Sequence, residues 1–225
     1  MVDVINRAVT SWIVLQLADS AFPTGGFAHS AGLEAALHAG ELASVERFCT
    51  ELIDQLAQGS LPIAAAVHDE PARLAELDAF TRATLWSHVA ARASRTQGRA
   101  LLDVAARSFR HDILVDARAR LARNELDGHL APVFGFVTRA LGVARDEALA
   151  TFLHLGVRGA LSAAVRLGCI GPAEGQALHH RLHPALDAAL ARARTLRVED
   201  VAQTAPLVEL VQATHDRLYS RLFQS

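Results

Sequence analysis

The segment LQLADSAFPTGGFAHSAGLE, from Leu15 to Glu34, decides the fold class that the sequence predicts. Its first residues continue an apolar helical face. Pro23, Gly25 and Gly26 then break that face, because proline fixes φ and glycine accepts positive φ. Apolar residues return at helical spacing after the break. The pattern therefore predicts a turn between two helices.

Part of this segment, Ala28-His-Ser30-Ala-Gly32, matches the small-x-Ser-x-Gly outline of a hydrolase nucleophile elbow. An elbow needs a buried strand directly before the serine, and the glycine turn occupies that place. The paired glycines also lack the GxGxxG pattern or following Lys of a phosphate-binding loop. We therefore assign no catalytic residue here and interpret Phe22 and Phe27 as core staples or interface anchors.

The rest of the chain follows the same helical periodicity. Alternating β-branched runs are missing, so the sequence predicts an all-α, single-domain bundle of about ten helices, without a sheet, over residues 1–225. Gly40 is predicted to end the second helix and Ser44 to cap the third, whereas Gly59 and Pro62 are predicted to interrupt the chain. Helices other than the third are predicted at residues 9–17, 29–38, 62–68, 71–88, 90–109, 113–123, 132–141, 146–167, 172–194 and 206–222.

The two ends of the chain are predicted to differ from the bundle. Residues 1–8 and the tail at residues 223–225 are predicted to be mobile, and residues 195–205 to form a loop before the last helix. On that helix one apolar stripe is predicted, which requires a covering surface. The stripe consists of Leu207, Val211, Thr214, Leu218 and Leu222.

The composition excludes several kinds of chemistry. All 22 basic residues are arginine, which excludes a Walker-type phosphate loop and a Schiff-base lysine. The formal net charge of -2 provides no surplus for binding nucleic acid or an anionic membrane. Cys49 and Cys169 lie outside any CxxC spacing, and neither a leader nor an uncharged membrane-length run is apparent. We expect a cytoplasmic chain with protein partners.

The histidines of the second half raise the question of a metal site. His179 and His183 stand four residues apart, beside His180, on a predicted helix and could chelate an ion. A site needs a third ligand, and no spacing of the HExxH type supplies one. Exposed helix histidines are the favoured interpretation, so we assign no metal ligand and no resident cofactor.

Three arginines, Arg92, Arg95 and Arg99, share one face of a predicted helix. No aromatic residues alternate with them as stacking platforms, which argues against nucleic-acid binding. Two interpretations remain for this face: solvated side chains with internal ion pairs, or a protein interface.

Four segments in the expected order resemble the UreF family of urease accessory proteins, and together they span essentially the whole chain. One departure is Ala93, which stands where the family's acidic residue is expected. The segments are Leu15–Glu34, Arg92–Arg99, Ala164–Gly168 together with Gln176, and His215–Ser225.

The resemblance implies a non-enzymatic, all-helical and usually dimeric adaptor. It would join the accessory protein UreD, also called UreH, and the GTPase UreG on apo-urease for nickel insertion. UreG would supply the nucleotide chemistry, which suits a chain without lysine. The alternative is a modulator, either an activator or a checkpoint, of GTP hydrolysis by UreG. Nickel would be handled transiently within the complex.

The resemblance also suggests which residues carry these roles. The terminal segment is expected to contact UreD through Tyr219, Arg221, Leu222 and Phe223. Contacts with UreG are expected near Arg166, Gly168 and Gln176. The family-signature loop is represented by Phe22, Pro23, Gly25, Gly26, Phe27 and Glu34.

Overall fold

A computed structural model describes residues 11–225, and within that range the chain is helical, without a strand. The all-α prediction is confirmed. The predicted helix start at Val9 and the predicted mobile segment at residues 1–8 lie outside the described residues. The α-helices are α1 (Trp12–Ala18), α2 (Leu33–Ala39), α3 (Val45–Gln55), α4 (Leu61–Asp69), α5 (Leu74–Thr84), α6 (His88–Phe109), α7 (Asp112–Ala122), α8 (Leu130–Ala140), α9 (Arg145–Arg166), α10 (Pro172–Arg181), α11 (His183–Ala193) and α12 (Pro206–Ala213).

Two helix ends lie where the sequence predicted them, because a capping side chain or a glycine is present there. The hydroxyl of Ser44 accepts a hydrogen bond from the N–H of Arg47 at 3.1 Å, which caps the start of α3. Gly40 ends α2 with φ of 72°. Both predicted boundaries are confirmed.

The predicted interruption at Gly59 and Pro62 is wrong, because the chain remains helical from α3 into α4. A π-helical turn, Leu56–Ser60, joins the two helices, and the N–H of Leu61 donates to the carbonyl of Leu56. The wider turn carries the helix past Pro62, which has no N–H to donate. Residues 45–69 therefore form one continuous helical segment with a local π-helical widening.

Several predicted helices are shorter than the periodicity suggested: α2 begins at Leu33, α5 spans Leu74–Thr84, and the last two predicted helices differ most. The helix predicted at residues 172–194 divides at Leu182, where Pro184 in the first turn of α11 cannot donate a backbone hydrogen bond. The last helix ends at Ala213, and a 3-10 turn, His215–Arg217, follows it. Leu218 and Leu222 therefore lie beyond α12, so the predicted continuous helical stripe is wrong.

The core is built around α9 and the crossing of α4 with α8. At that crossing a Cβ atom on Gly135 would stand 2.1 Å from the carbonyl oxygen of Ala64, so only glycine permits this backbone approach. The hydrophobic core extends from Leu17 in α1 to Phe223 near the chain end. By length and composition α9 would also suit a membrane span, but 56% of the relevant stretch is buried inside the protein. The apolar residues of α9 therefore pack in the hydrophobic core.

Candidate functional site

The family-signature loop places its two phenyl rings in different environments. Gly25 has φ of 74° and turns the chain into the 3-10 turn Gly26–Ala28. Phe22 stacks on Phe109 of α6 with ring centroids 6.4 Å apart. Phe27 is 75% exposed. One ring therefore fixes the loop to the bundle, and the other lies at the surface.

Glu34, in the first turn of α2, joins this loop to the end of the chain. Its side chain is buried and accepts hydrogen bonds from His215 Nε2 at 2.9 Å, from the N–H of Leu222 at 2.6 Å and from the N–H of Phe223 at 3.1 Å. Burial alone would raise the pKa of Glu34, but the hydrogen bonds from Leu222, His215 and Phe223 outweigh it and lower that pKa. Glu34 is therefore a charged anchor for the terminal segment.

The final residues pair with the loop through backbone and side-chain bonds. The N–H of Ser30 donates to the carbonyl of Ser225 at 2.6 Å, and the N–H of Gln224 donates to the carbonyl of Ala28 at 2.8 Å. The hydroxyl of Ser30 also donates to the Ser225 carbonyl, and His29 Nδ1 lies 2.7 Å from the Ser225 hydroxyl. We call this contact of residues 28–34 with residues 215–225 the loop–tail junction.

The surroundings of Ser30 do not suit a nucleophile. Its side chain is fully buried, and its hydroxyl is committed to the Ser225 carbonyl. No strand precedes it within the part of the chain that the structure describes. A hydroxyl in this environment is inaccessible to a substrate, which argues against a nucleophilic role for Ser30.

An ion-pair cluster flanks the junction on its α6 side. Both terminal nitrogens of Arg92 donate to Asp216, at 2.9 and 2.7 Å, and Arg221 and His88 contact the same carboxylate. The hydrogen bond from Arg92 is the main cause that lowers the pKa of Asp216 to about 2. Ala93, which is buried, stands where the resemblance led us to expect an acidic residue. The carboxylate beside Arg92 is instead that of Asp216 in the terminal segment.

A second arginine closes the junction on its α9 side. The guanidinium of Arg166 lies 4.4 Å from the ring centre of Phe223 and donates to the carbonyl of Phe27. Gly168, with φ of 73°, follows the end of α9, and Gln176 is exposed on α10. Of the three residues predicted for UreG, the structure thus brings Arg166 to the loop–tail junction.

The terminal segment divides into an inward and an outward face. Phe223 and Ser225 are 5% and 1% exposed, so the tail at residues 223–225 is packed in the structure. Packing is not a measure of motion, and the mobility of this tail stays a prediction. Tyr219 is fully exposed and Leu222 is 52% exposed. Together with Phe27, which directly precedes the junction, they are exposed apolar side chains of this region.

Sequence reasoning identified the loop and the tail separately but missed their connection. The roles of His215 and Asp216 were not predicted, although both belong to the terminal segment singled out by resemblance. No local pattern pairs Glu34 with a histidine 181 positions away. Of the three arginines on the α6 face, Arg92 and Arg99 find partners within the chain.

Two further observations on the described residues bear on thiol chemistry and on metal binding. Cys49 is buried, and burial, followed by the charge of Glu46, raises the pKa of its thiol to about 12, which disfavours the reactive thiolate. Among residues 11–225 no group of three or more His, Cys, Asp or Glu side chains is arranged to hold a metal ion as it stands.

Comparison with known proteins adds an independent observation. The sequence model of the family described as UreF matches residues 40–183. The chain is 35% identical to urease accessory protein F of Arabidopsis thaliana, over 99% of this chain and 96% of the relative. It is 33% identical to urease accessory protein UreF of Arthrobacter sp. (strain FB24), over 93% and 95% of the two chains. These alignments cover nearly the full length.

Proposed function

Because the chain belongs to the UreF family of urease accessory proteins, we propose that it is a non-enzymatic adaptor that joins UreD and UreG on apo-urease during nickel insertion. The single observation that carries this proposal is the loop–tail junction. Two segments that are distant in the chain are fixed to each other by a buried carboxylate, and each carries exposed apolar side chains, Phe27 at the loop and Tyr219 and Leu222 on the tail. A surface of this kind marks a protein contact.

We assign the outer face of the junction to UreD. Tyr219 and Leu222 are exposed, and Arg221 lies beside them with its guanidinium held by Asp216. Aromatic and arginine side chains are enriched among residues that dominate binding energy. Phe223 is packed inward, so its role is to position the contact residues, and its ring does not itself face the partner.

We assign the end of α9 and the following turn to UreG. Gly168 and Gln176 are exposed, and Arg166 links this region to the junction through Phe223 and Phe27. The two partner surfaces would therefore be physically continuous. That continuity supports an adaptor in which binding of one partner changes the affinity for the other, and such coupling is reciprocal.

The modulator of GTP hydrolysis remains the alternative. An arginine that stabilises a transferring phosphoryl group must reach the nucleotide. Arg92 and Arg221 are both held by Asp216, and Arg99 donates to the carbonyl of Asp127. Their internal partners favour a positioning role, and the adaptor is the better supported function.

We further propose that the protein acts in the cytoplasm as a homodimer. A cytoplasmic location agrees with two free cysteines among the described residues, of which Cys49 is buried. The dimer proposal is supported by Leu207 and Leu210 on α12, which are 76% and 55% exposed. An exposed apolar helix face of this kind is typical of subunit contacts.

Co-purification tests the adaptor directly. The full chain is expressed with UreD and UreG, and complexes are isolated at micromolar concentration with GDP and with a non-hydrolysable GTP analogue. The proposal predicts that UreD is retained and that UreG joins the complex in at least one nucleotide state. Loss of both partners in every state would refute it. Multiple-turnover GTP hydrolysis by UreG, with and without this chain, separates the alternative, which requires a changed rate.

A further inference from the structure

Four histidine side chains gather where α10 and α11 pack against α9. The ring of His179 lies 5.3 Å from that of His154 and 5.5 Å from that of His183, measured between centroids. The rings of His180 and His183 are 5.0 Å apart. The sequence alone offered His179 and His183 without a third ligand, and the fold brings a third imidazole, that of His154 on α9, beside His179.

One atom of this cluster is enclosed without a partner. Nε2 of His179 is buried and makes no hydrogen bond within the described residues. A buried polar atom without a partner carries a free-energy cost, which a bound ion or another partner would remove. The adjacent cavity is lined by His183 and by the carboxylate-bearing Asp187.

The spacing of the rings suits a shared ion. Three imidazoles bound to one tetrahedral ion, with metal–nitrogen distances of about 2.0–2.1 Å, have ring centres about 5 Å apart. The observed separations of 5.3 Å from His179 to His154 and 5.5 Å from His179 to His183 are close to that value. The rings now pack edge to face, at 81° and 88°, and do not form a ready ligand set. Rotation about the side-chain torsions is the required change.

A histidine binds a metal ion through a neutral imidazole, so an ion at this cluster would compete with protons. The positive charge of Arg158 acts on His154 and opposes an added cation.

We propose that His154, His179 and His183 bind one divalent transition-metal ion of the class that prefers imidazole, such as Ni²⁺ or Zn²⁺. Asp187 is available as a fourth ligand. This site is separate from the loop–tail junction and does not depend on the adaptor proposal. It would make the chain itself a metal-binding component.

Calorimetric titration of the untagged full chain with Ni²⁺ at pH 7.5 tests the site, with Zn²⁺ as a second probe. The wild-type chain should bind one ion. The triple variant His154→Gln, His179→Gln and His183→Gln should bind at least about tenfold more weakly, because three ligands are lost. A matched control replaces two exposed histidines outside the cluster, His38→Gln and His111→Gln, and should bind as the wild type does.

Thermal unfolding followed by circular dichroism provides the folding control. Saturating Ni²⁺ should raise the Tm of the wild type and the control but not that of the triple variant. If the triple variant does not fold, His183→Gln alone is measured against the same criterion. Absence of Ni²⁺ and Zn²⁺ binding to the wild type, or unchanged affinity and stoichiometry in the variant, would overturn the proposal. Neither result would affect retention of UreD or UreG.

Discussion

The carboxylate of Glu34 and the imidazole of His215 lie 2.9 Å apart in the protein interior, although 181 positions separate them in the chain. The same carboxylate holds the backbone N–H groups of Leu222 and Phe223. A buried charge is tolerated when its oxygens accept several hydrogen bonds. This arrangement fixes the terminal segment on the signature loop and leaves Tyr219 and Leu222 at the surface.

Glu34→Gln should destabilise the protein by about 2 kcal/mol. The amide can replace only one carboxylate oxygen as an acceptor, so at least one buried donor loses its partner. Urea unfolding measures the change, and amide hydrogen exchange at Leu222 and Phe223 should accelerate. Glu46→Gln, whose side chain is 53% exposed, serves as the control and should change stability by less than about 0.5 kcal/mol. Equal effects of both substitutions would contradict the anchoring role.

The pair Arg92 and Asp216 should show a small but measurable coupling. Both side chains are partly exposed, at 44% and 33%, so solvent screening limits the gain despite the two-point contact. A double-mutant cycle with Arg92→Met and Asp216→Asn should give about 0.5–1 kcal/mol. Salt at about 1 M should reduce that coupling. A coupling of zero at low salt would show that this ion pair does not hold the tail.

The stability of the protein should fall as pH drops below about 6.5. Burial is the first cause that lowers the pKa of His29 in the folded state, followed by the charges of Arg92 and His215, and the pKa of Glu34 is lowered as well. The unfolded chain therefore binds more protons than the folded chain. The stabilisation that His29 and Glu34 contribute is complete above the pKa values that these groups have in the unfolded chain. It is lost as pH falls through the lower pKa values that they have in the folded protein.

Urea unfolding at pH 7.5, 6 and 5 measures this dependence. The free energy of unfolding should fall less steeply with decreasing pH in His29→Gln than in the wild type. The difference in slope should be at most about 1.4 kcal/mol per pH unit, which is the contribution of a single titrating group. Other buried histidines whose pKa values are lowered, among them His129, keep part of the slope in the variant. An unchanged slope after His29→Gln would remove His29 from this account.

Gly135→Ala should destabilise the crossing of α4 with α8 by about 1–3 kcal/mol. The new Cβ would overlap the carbonyl oxygen of Ala64, so the two helices would have to separate. Gly159→Ala in α9 is the matched control, because a Cβ there meets nothing within 4 Å. That substitution should be neutral or stabilising by up to about 1 kcal/mol, since alanine favours helix. Thermal unfolding should give a lower Tm for Gly135→Ala and an unchanged or higher Tm for Gly159→Ala; a Tm of Gly135→Ala equal to that of the wild type would contradict the close approach.

The helical fold could be predicted from periodicity and from end signals such as the cap at Ser44. The end of the last helix could not. A helix that continued to residue 222, as predicted, would require the N–H of Leu222 to bond within the helix, but the buried carboxylate of Glu34 accepts it instead. A tertiary contact therefore overrides the local apolar pattern.

The candidate site could be predicted only in parts. Resemblance identified the loop and the terminal segment, and the absence of lysine argued against a Walker-type phosphate loop. The partners of Arg92 and Glu34 could not be predicted, because they are far away in the sequence and no local rule joins α2 or α6 to residues 215–225. The same reason concealed His154, which reaches the cluster of His179 and His183 from another helix.

The most direct test of the adaptor account is the affinity of UreD for variants of the exposed junction surface. Surface-immobilised UreD is titrated with wild type, with Tyr219→Ser and Leu222→Ser combined, and with the control Ile113→Ser on α7, where Ile113 is 39% exposed. The account predicts that the double variant binds at least about tenfold more weakly while the control matches the wild type. Equal affinity of all three chains for UreD would contradict it.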